Sequence, residues 1–415
     1  MDKSKPTAIV LGGTYPHIKL LKNLSIRGFE TVLIDYYSVP CAAPHADKHI
    51  QASTLDREKV LEIAIAENAA LVISSCIDQA NLIACSVAET LNLPHPYNTE
   101  KGNIVTNKLL MKEFMRSNNI PSSDFIAIRN PSQTDCLTLN YPLIVKPSDS
   151  NSSKGVKRIE KQDQISEAIK SAIRLSRSRE AIVEEFIEGR EVGMDFYINN
   201  GIPKLLITKE RRKIPSTATA AQQIYGCFWP AELSEEEIKE SIEIAGRIAT
   251  SLEIRDSPLM IQAIAGKDGI SVIEFAARFG GGESFKVIEL ATGVDIIDLS
   301  IRSFLHETVD ILPSPSDFIF AETFLYSHEC DFHHIDIDES ATKDGTIDHV
   351  HQYKTKGMHV GLELTSNNRV GSIIVSARDR EEVKRKINKA LNCVEVIDNE
   401  GNPQLRKDLY PHEPT

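Results

Sequence analysis

The sequence lacks the features that would place it in a membrane or on nucleic acid. It contains no apolar run of about 18 residues, which excludes a transmembrane helix. Its net charge is −12, and no long basic stretch offsets that charge, which argues against a nucleic-acid partner. The first residues also lack the apolar segment and cleavage site of a signal peptide. We therefore predict a soluble cytoplasmic protein with neither a membrane nor a nucleic-acid partner.

The sequence also lacks the cysteine and glycine motifs that mark redox, metal-binding and dinucleotide-binding proteins. Its 7 cysteines are scattered and include no C-x-x-C pair, which predicts reduced thiols. Gly12 and Gly13 follow the first predicted strand, but the fingerprint G-x-G-x-x-G is absent, which argues against a dinucleotide-binding enzyme. No internal repeats occur. At 415 residues, with 41% hydrophobic and 26% charged residues, the chain predicts a globular protein of two to three domains.

The first hundred residues alternate between strand and helix patterns. Apolar strands are predicted at residues 8–11, 31–34 and 70–74, with helices at 17–27, 57–67 and 80–91. This alternation is typical of a parallel sheet with helices on both faces. A linker with Pro94, Pro96 and Asn98 marks the first domain boundary.

A hairpin is predicted within residues 257–283. Two apolar runs, 259–265 and 270–279, meet at a glycine-flanked turn at 266–269. If Gly266 pairs with Ile270, Gln262 lies opposite Glu274. The period of two then separates a polar face from an apolar face of the second strand. The polar face carries Glu274, Ala276 and Arg278, and the apolar face carries Ile273, Phe275, Ala277 and Phe279.

The polar face of this hairpin suits a metal-nucleotide complex. Gln262 and Glu274 offer oxygen ligands for Mg²⁺, which prefers a few protein oxygens together with substrate phosphates. Arg278 can hold phosphate oxygens bidentately, and Gly280–Gly282 lets a ligand approach the backbone. Taken alone, the hairpin is equally compatible with an exposed structural element.

A lysine and a loop of small polar residues form a second candidate site. The apolar strand 143–145 ends in Lys146, and a serine-rich loop leads to a further strand at Val156. A lysine beside such a loop is expected where a mobile flap covers phosphates, although an exposed turn is the alternative. The lysines of the predicted helix 107–118 are interpreted, from the residues alone, as a solvated face.

Acidic residues crowd the predicted strand pair within 181–201. Glu184, Glu185 and Glu191 could accept hydrogen bonds from an adenine amino group and a ribose, beside the apolar Ile187. An exposed acidic strand edge is the alternative.

Charged loops offer candidates for substrate specificity. The segments 209–230 and 280–290 contain residues that could pair with charged substrate groups, although each could equally be solvated. They are Arg211, Arg212, Glu283 and Lys286.

A cluster at 327–334 with His328, Cys330, His333 and His334 matches no regular zinc spacing, so a metal there is not expected. The last hundred residues predict a smaller α+β unit.

These motifs follow one another in a fixed order: a strand that ends in a lysine and a flap, then EEFIEGRE, then Gln262, Glu274 and Arg278 on a hairpin. This order resembles that of the ATP-grasp superfamily. Its closest resemblance is to the carbamoyl-phosphate-synthetase-like and amino-acid-ligase branch. The resemblance covers nearly the whole chain and implies a multidomain α/β and α+β fold. It implies a Rossmann-like domain at 1–98, an ATP-grasp domain at 99–305 with a flap subdomain at about 120–187, and a C-terminal α+β domain at 306–415.

The resemblance also implies a role for each motif residue, with ATP and Mg²⁺ (or Mn²⁺) as cofactors. Lys108 and Lys146 would contact phosphates, and the flap residues Ser153 and Lys154 would close over them. Glu184, Glu185 and Ile187 would bind adenine, and Glu191 the ribose. Gln262 and Glu274 would hold the metal. Arg278 would stabilise the transferring phosphoryl group, so that Arg278 and Lys146 are the catalytic residues.

The implied activity is ATP-dependent ligation of a carboxylate to an amine through an acyl phosphate, in a homodimer. A bicarbonate-using or carbamoyl-phosphate-forming enzyme and a non-catalytic ATP-binding protein are the alternatives. Two features of the sequence depart from the family pattern. Ala276 stands where many relatives carry a metal-binding Asn, which leaves one or two metal ions open, and the flap has a single glycine. The sequence identifies neither substrate.

Overall fold

The computed structural model describes residues 5–131, 138–149, 155–214 and 223–411. The chain is a mixed α/β protein with several sheets. Its first sheet has the order β3-β2-β1-β4, and every strand pair in it is parallel. The elements are β1 (Thr7–Leu11), α1 (Tyr15–Ile26), β2 (Glu30–Asp35), β3 (Lys48–Gln51), α2 (Arg57–Ala66), β4 (Ala69–Ile73) and α3 (Asp78–Thr90). The predicted parallel sheet is confirmed, whereas the edge strand β3 was missed because it is only half-buried and largely polar.

A second, small sheet carries Lys146 and Glu184. Two helices, α4 (Thr99–Thr106) and α5 (Lys108–Ser117), precede it. Its order is β5-β8-β6-β7, all antiparallel, with β5 (Phe125–Ile128), β6 (Leu143–Pro147), β7 (Lys157–Ile159) and β8 (Ala181–Glu185). The helix α6 (Ile165–Leu175) packs its apolar face on the sheet. The register pairs Ile144 with Glu184 and Lys146 with Ile182, which brings the lysine and the glutamate to adjacent strands.

The largest sheet contains eight described strands in the order β13-β12-β9-β10-β11-β14-β18-β16. They are β9 (Gly189–Asn199), β10 (Ile202–Lys213), β11 (Ile224–Trp229), β12 (Ser257–Gly266), β13 (Gly269–Ala276), β14 (Ile319–Tyr326), β16 (His349–Gln352) and β18 (Arg369–Ala377). The helices α7 (Glu235–Ser251), α8 (Ser284–Thr292) and α9 (Ile296–Phe304) belong to the same core. The sheet thus continues across residue 305, where a domain boundary was predicted.

The hairpin of β12 and β13 confirms the predicted pairing but not the predicted turn. Gly266 pairs with Gly269, so the turn has two residues, Lys267 and Asp268. A bulge between Gln262 and Ala263 then shifts the register, and Gln262 pairs with Glu274 as predicted. Ile273, predicted on the apolar face, lines the same cavity as Glu274.

The remaining elements complete the C-terminal part. They are β15 (Cys330–Ile337), α10 (Glu339–Lys343), β17 (His359–Val360), α11 (Arg380–Asn392) and β19 (Val394–Asp398). The strand β17 is short because only its two residues pair with β15. In the cluster at 327–334, the Nδ1 atoms of His333 and His334 lie 2.7 Å apart. Among the described residues no three His, Cys, Asp or Glu side chains form a metal-binding group.

None of the helices described here is both long enough and apolar enough to span a bilayer.

Candidate active site

A single cavity of about 780 Å³ is lined by every predicted site residue that the structure describes. It lies where the first sheet, the small sheet and the large sheet meet. The predicted residues in its wall are Lys108, Lys146, Glu184, Glu185, Ile187, Glu191, Gln262, Glu274 and Arg278. Ser153 and Lys154, predicted to close over the phosphates, lie outside the described residues. Residues far apart in the chain therefore form one continuous surface.

Two buried lysines flank Glu184 at one end of the cavity. The Nζ of Lys146 lies 2.5 Å from one carboxylate oxygen, and the Nζ of Lys112 lies 2.9 Å from the other. Ser123 Oγ also donates to Glu184, at 3.0 Å. Burial by itself would raise the pKa of Glu184, but Lys146 and Lys112 outweigh burial and lower it to about 2. Glu184 is therefore a fixed anion that orients both ammonium groups.

The burial of Lys112 corrects the interpretation of α5 as a helix with a solvated lysine face. Its side chain is 2% exposed, and its Nζ also donates to Ser122 Oγ and Ser123 Oγ, each at 2.7 Å. Lys108 and Lys112 are four residues apart, so both point to the same side of the helix. That spacing, together with the buried Met111 and Met115, is the sequence signal that could have identified Lys112.

At the strand end predicted to bind adenine, the carboxylate of Glu185 already accepts hydrogen bonds within the protein. Glu185 Oε1 accepts hydrogen bonds from the backbone N–H and the side chain of Asn140, at 2.8 and 2.9 Å. The guanidinium of Arg158 stacks over Phe186 at 4.0 Å from the ring centre. The cavity wall here consists of Glu185, Phe186 and Ile187, which provides an apolar surface next to a polar edge.

The predicted ribose ligand Glu191 contacts two cations. Arg211 Nη1 lies 3.0 Å from Glu191 Oε1, and Lys213 Nζ lies 3.0 Å from Oε2. Gln262 joins this network, because its Nε2 donates to Glu191 at 2.6 Å and its Oε1 accepts from Arg211 at 2.7 Å. The amide oxygen predicted to bind metal thus accepts a hydrogen bond from Arg211.

Glu274 is the more accessible of the predicted metal ligands. Its side chain is 35% exposed, and Lys108 Nζ lies 3.9 Å from its carboxylate. Ala276, two residues further on, is buried beside the cavity and offers no oxygen. The donor set consists of oxygens in the cavity wall, which fits a Mg²⁺ ion that takes its other ligands from phosphates and water.

Arg278 is held in place by Asp78 from the first turn of α3. Its Nε and Nη2 donate to the two carboxylate oxygens at 2.6 and 2.8 Å, and its Nη1 donates to the carbonyl of Phe279 at 2.6 Å. Burial would lower the pKa of Arg278, but the Asp78 charge outweighs it and raises the pKa. The bidentate contact fixes the plane of the guanidinium at the cavity wall.

If Arg278 contacts the transferring phosphoryl group, as the sequence predicts, we expect Asp78→Asn to lower the turnover number by about 10- to 100-fold, because Arg278 is no longer held in place. Steady-state kinetics should show this loss with little change in the KM for ATP. Glu58→Gln is the matched control, since Glu58 is the exposed acidic residue in the first turn of α2. An equal loss in both variants, or a loss confined to KM, would contradict a positioning role for Asp78.

Two of the four charged residues proposed from the loops line the cavity, and two do not. Arg211 and Glu283 line the cavity. Arg212 does not, because its guanidinium packs over Tyr225 and Phe228, 4.4 and 4.9 Å from the ring centres. Lys286 instead lies 3.5 Å from Glu289 on α8. Of the four residues left open between substrate contact and solvated surface, only Arg211 and Glu283 therefore remain candidates for substrate contact.

Comparisons with known proteins agree with this geometry. Residues 139–285 match the model of the ATP-grasp domain. The 3-methyl-D-ornithine–L-lysine ligase of Methanosarcina acetivorans is 25% identical over 387 residues, which cover 92% of this chain and 95% of the relative. The L-amino acid ligase of Bacillus licheniformis has a similar structure, with a TM-score of 0.77 and 18% identity over 96% of this chain and 100% of that one.

A biotin carboxylase domain shares the same fold. The domain of 2-oxoglutarate carboxylase from Hydrogenobacter thermophilus superposes with a TM-score of 0.78 and 15% identity, over 97% of this chain and 92% of that one. At this identity the likeness concerns the fold alone. The comparisons thus show that residues 139–285 match the ATP-grasp domain and that the chain is similar over nearly its full length to a ligase.

Proposed function

We propose that this chain is an ATP-dependent ligase that joins the carboxylate of one small molecule to the amine of another, with an amino acid as at least one substrate. The observation that carries the proposal is the single cavity in which lysines, oxygen ligands and a fixed arginine meet. Support also comes from relatives that are named as ligases of amino acids. The finer domain division, with a Rossmann-like first domain and an α+β last domain, and assembly as a homodimer are parts of the same proposal.

The residues fit a two-step reaction. In the first step, a carboxylate oxygen of the acid attacks the γ-phosphorus of ATP, and ADP leaves with the electron pair of the broken P–O bond. Lys108 and Lys146 neutralise phosphate charge, and Arg278 faces the transferring group. In the second step, the amine nitrogen attacks the acyl carbon, and phosphate leaves.

Gln262 and Glu274 would hold a Mg²⁺ ion. When bound, the ion neutralises charge on the nucleotide phosphates. Glu184 orients the ammonium group of Lys146, and the apolar wall near Ile187 accepts the adenine ring. Arg211 and Lys213 supply positive charge to the part of the cavity next to Glu191.

The test is ADP release from ATP and Mg²⁺ with pools of amino acids and sugar acids, with and without added amines. We expect release that depends on one carboxylate pool, together with an amide product detected by mass spectrometry. Release that depends on bicarbonate alone would instead support a carboxylase. ATP binding without release in any pool would favour the non-catalytic alternative.

A further inference from the structure

Two cations in the cavity wall have no carboxylate partner in the described part of the chain. Lys354 and Arg369 both line the cavity. The Nζ of Lys354 donates to the carbonyl of Asn367 at 2.6 Å, and the Nε of Arg369 donates to the hydroxyl of Tyr326 at 2.9 Å. The guanidinium of Arg369 also stacks on Phe324, 3.6 Å from the ring centre. Within the described ranges, these contacts hold the guanidinium in place without using its two Nη groups.

The two cations also lie opposite each other on neighbouring strands. The pairing of β16 with β18 continues past the end of β16, because the N–H of Tyr353 donates to the carbonyl of Val370 at 2.9 Å. In this register Lys354 lies opposite Arg369. Like charges at opposite positions repel each other, so an anion bound between them would be stabilising. Burial lowers the pKa of Lys354, which a neighbouring carboxylate would instead raise.

An apolar surface adjoins these cations. The loops 36–41 and 52–55 follow β2 and β3, and they leave the first sheet at the same edge because Asp35 pairs with Gln51. The loops carry four large apolar side chains that are exposed, namely Tyr36, Tyr37, Val39 and Leu55. All of these except Val39 line the cavity. Exposed apolar groups that cluster in a cavity are typical of a ligand-binding surface.

The loop 36–41 is held against the segment that carries Lys354. The hydroxyl of Thr355 donates to the carbonyl of Val39 at 3.2 Å, and the Nζ of Lys354 lies 6.0 Å from the ring centre of Tyr37. The N–H of Tyr37 also donates to the buried carboxylate of Asp35 at 2.9 Å. The cations and the apolar surface therefore form one part of the cavity. We call it the Lys354 lobe, and it is lined by Tyr36, Tyr37, Leu55, Lys354 and Arg369.

The Lys354 lobe suits a ligand that carries a negative charge beside an apolar group. In the proposed reaction the carboxylate of the acid substrate becomes the acyl phosphate, and an apolar acid has no second carboxylate. An α-amino acid that reacts through its amine, by contrast, keeps its carboxylate free. We propose that Lys354 and Arg369 bind the free carboxylate of an apolar α-amino acid, which is the amine substrate, and that Tyr37 and Leu55 contact its side chain. This inference rests on the proposed function and names the class of its amine substrate.

The experiment compares amines that differ in one feature of the proposed ligand. L-Leucine has both the carboxylate and the large apolar side chain, L-leucinamide lacks the charged carboxylate, L-alanine lacks the large side chain, and hydroxylamine lacks both. Each amine is supplied with the acid pool that supports ADP release. Mass spectrometry measures the amide products, and hydroxylamine yields hydroxamates, which give a coloured ferric complex. For the wild-type protein we expect kcat/KM to be highest for leucine.

Arg369→Gln tests the contact with the carboxylate. We expect kcat/KM for leucine to fall about 100-fold, because a charged hydrogen-bonded pair is lost, and kcat/KM for leucinamide and hydroxylamine to change by less than about threefold. Lys354→Gln should show the same pattern with a smaller loss. Arg385→Gln is the matched control, since Arg385 is an exposed arginine on α11, and it should change none of these values.

Leu55→Ser and Tyr37→Ser test the contact with the side chain. Each should lower the preference for leucine over alanine, measured as the ratio of their kcat/KM values, by about tenfold, because apolar contact with the larger side chain is lost. Hydroxamate formation should not change. Ile65→Ser, at an exposed position on α2, is the matched control and should leave the preference for leucine as it is.

Three results would overturn the inference. The first is an equal loss for leucine and leucinamide in Arg369→Gln, and the second is a loss of hydroxamate formation in the same variant. The third is a wild-type protein that forms hydroxamates but uses alanine or polar amino acids as readily as leucine. If the wild-type protein forms no hydroxamate with any acid pool, the proposed function itself is wrong.

Discussion

Glu274→Ala is expected to lower ATP turnover by at least about 100-fold, because it removes the charged oxygen ligand of the proposed metal site. The hairpin places Glu274 directly opposite Gln262, and Ala276 offers no oxygen that could replace it. Gln262 is neutral and bound to Arg211, so it cannot hold a divalent cation alone. The measurement is ADP release at saturating ATP over a range of Mg²⁺ concentrations.

Two further variants sharpen this result. Glu274→Gln keeps the shape and one oxygen but loses the charge, so high Mg²⁺ should restore part of its activity and none of that of Glu274→Ala. Asp268→Ala changes an exposed acidic residue in the turn of the same hairpin and serves as the matched control. A Glu274→Ala protein with more than about a tenth of wild-type turnover would remove Glu274 from the metal site.

The hairpin shows how far local pattern carries a prediction. The pairing of Gln262 with Glu274 was predicted correctly, although the turn was predicted one residue too long. The bulge inserts an extra residue at Ile273, and this insertion offsets the shorter turn. The period-two alternation predicts which polar residues share one face of the hairpin. A bulge leaves no clear pattern in the sequence, because it depends on the neighbouring strand β9 as much as on the hairpin itself.

Long-range charge pairs are the part that the sequence could not provide. Asp78 and Arg278 are two hundred positions apart, and Lys112 on helix α5 meets Glu184 on strand β8. A motif names the residue at a site, but the partner that orients it is set by tertiary packing. The same holds for Arg211, which the sequence left open between substrate contact and solvated surface: it lines the cavity, and its contact with Gln262 was not foreseen.

Glu184→Gln is expected to lower the free energy of unfolding by about 3 to 5 kcal/mol, because it leaves two buried lysines without their counter-ion. The side chains of Lys112 and Lys146 are only 2% and 5% exposed. Urea unfolding at neutral pH measures the loss. Glu185→Gln is the control, since the hydrogen bonds that the adjacent carboxylate accepts within the described ranges come from the uncharged Asn140, and its loss should change stability little.

The pH dependence of unfolding tests the same charge cluster in the wild-type protein. The pKa of Glu184 falls from its usual 4.5 to about 2 in the folded chain, so its stabilising contribution is complete above pH 4.5 and is lost as the pH falls towards 2. The difference in stability between wild type and Glu184→Gln should therefore shrink across that window. Adding Lys112→Met to Glu184→Gln should recover part of the loss, because one unpaired charge disappears. If the double variant is less stable than Glu184→Gln, or if the difference from wild type is independent of pH, Glu184 does not act through its charge on Lys112 and Lys146.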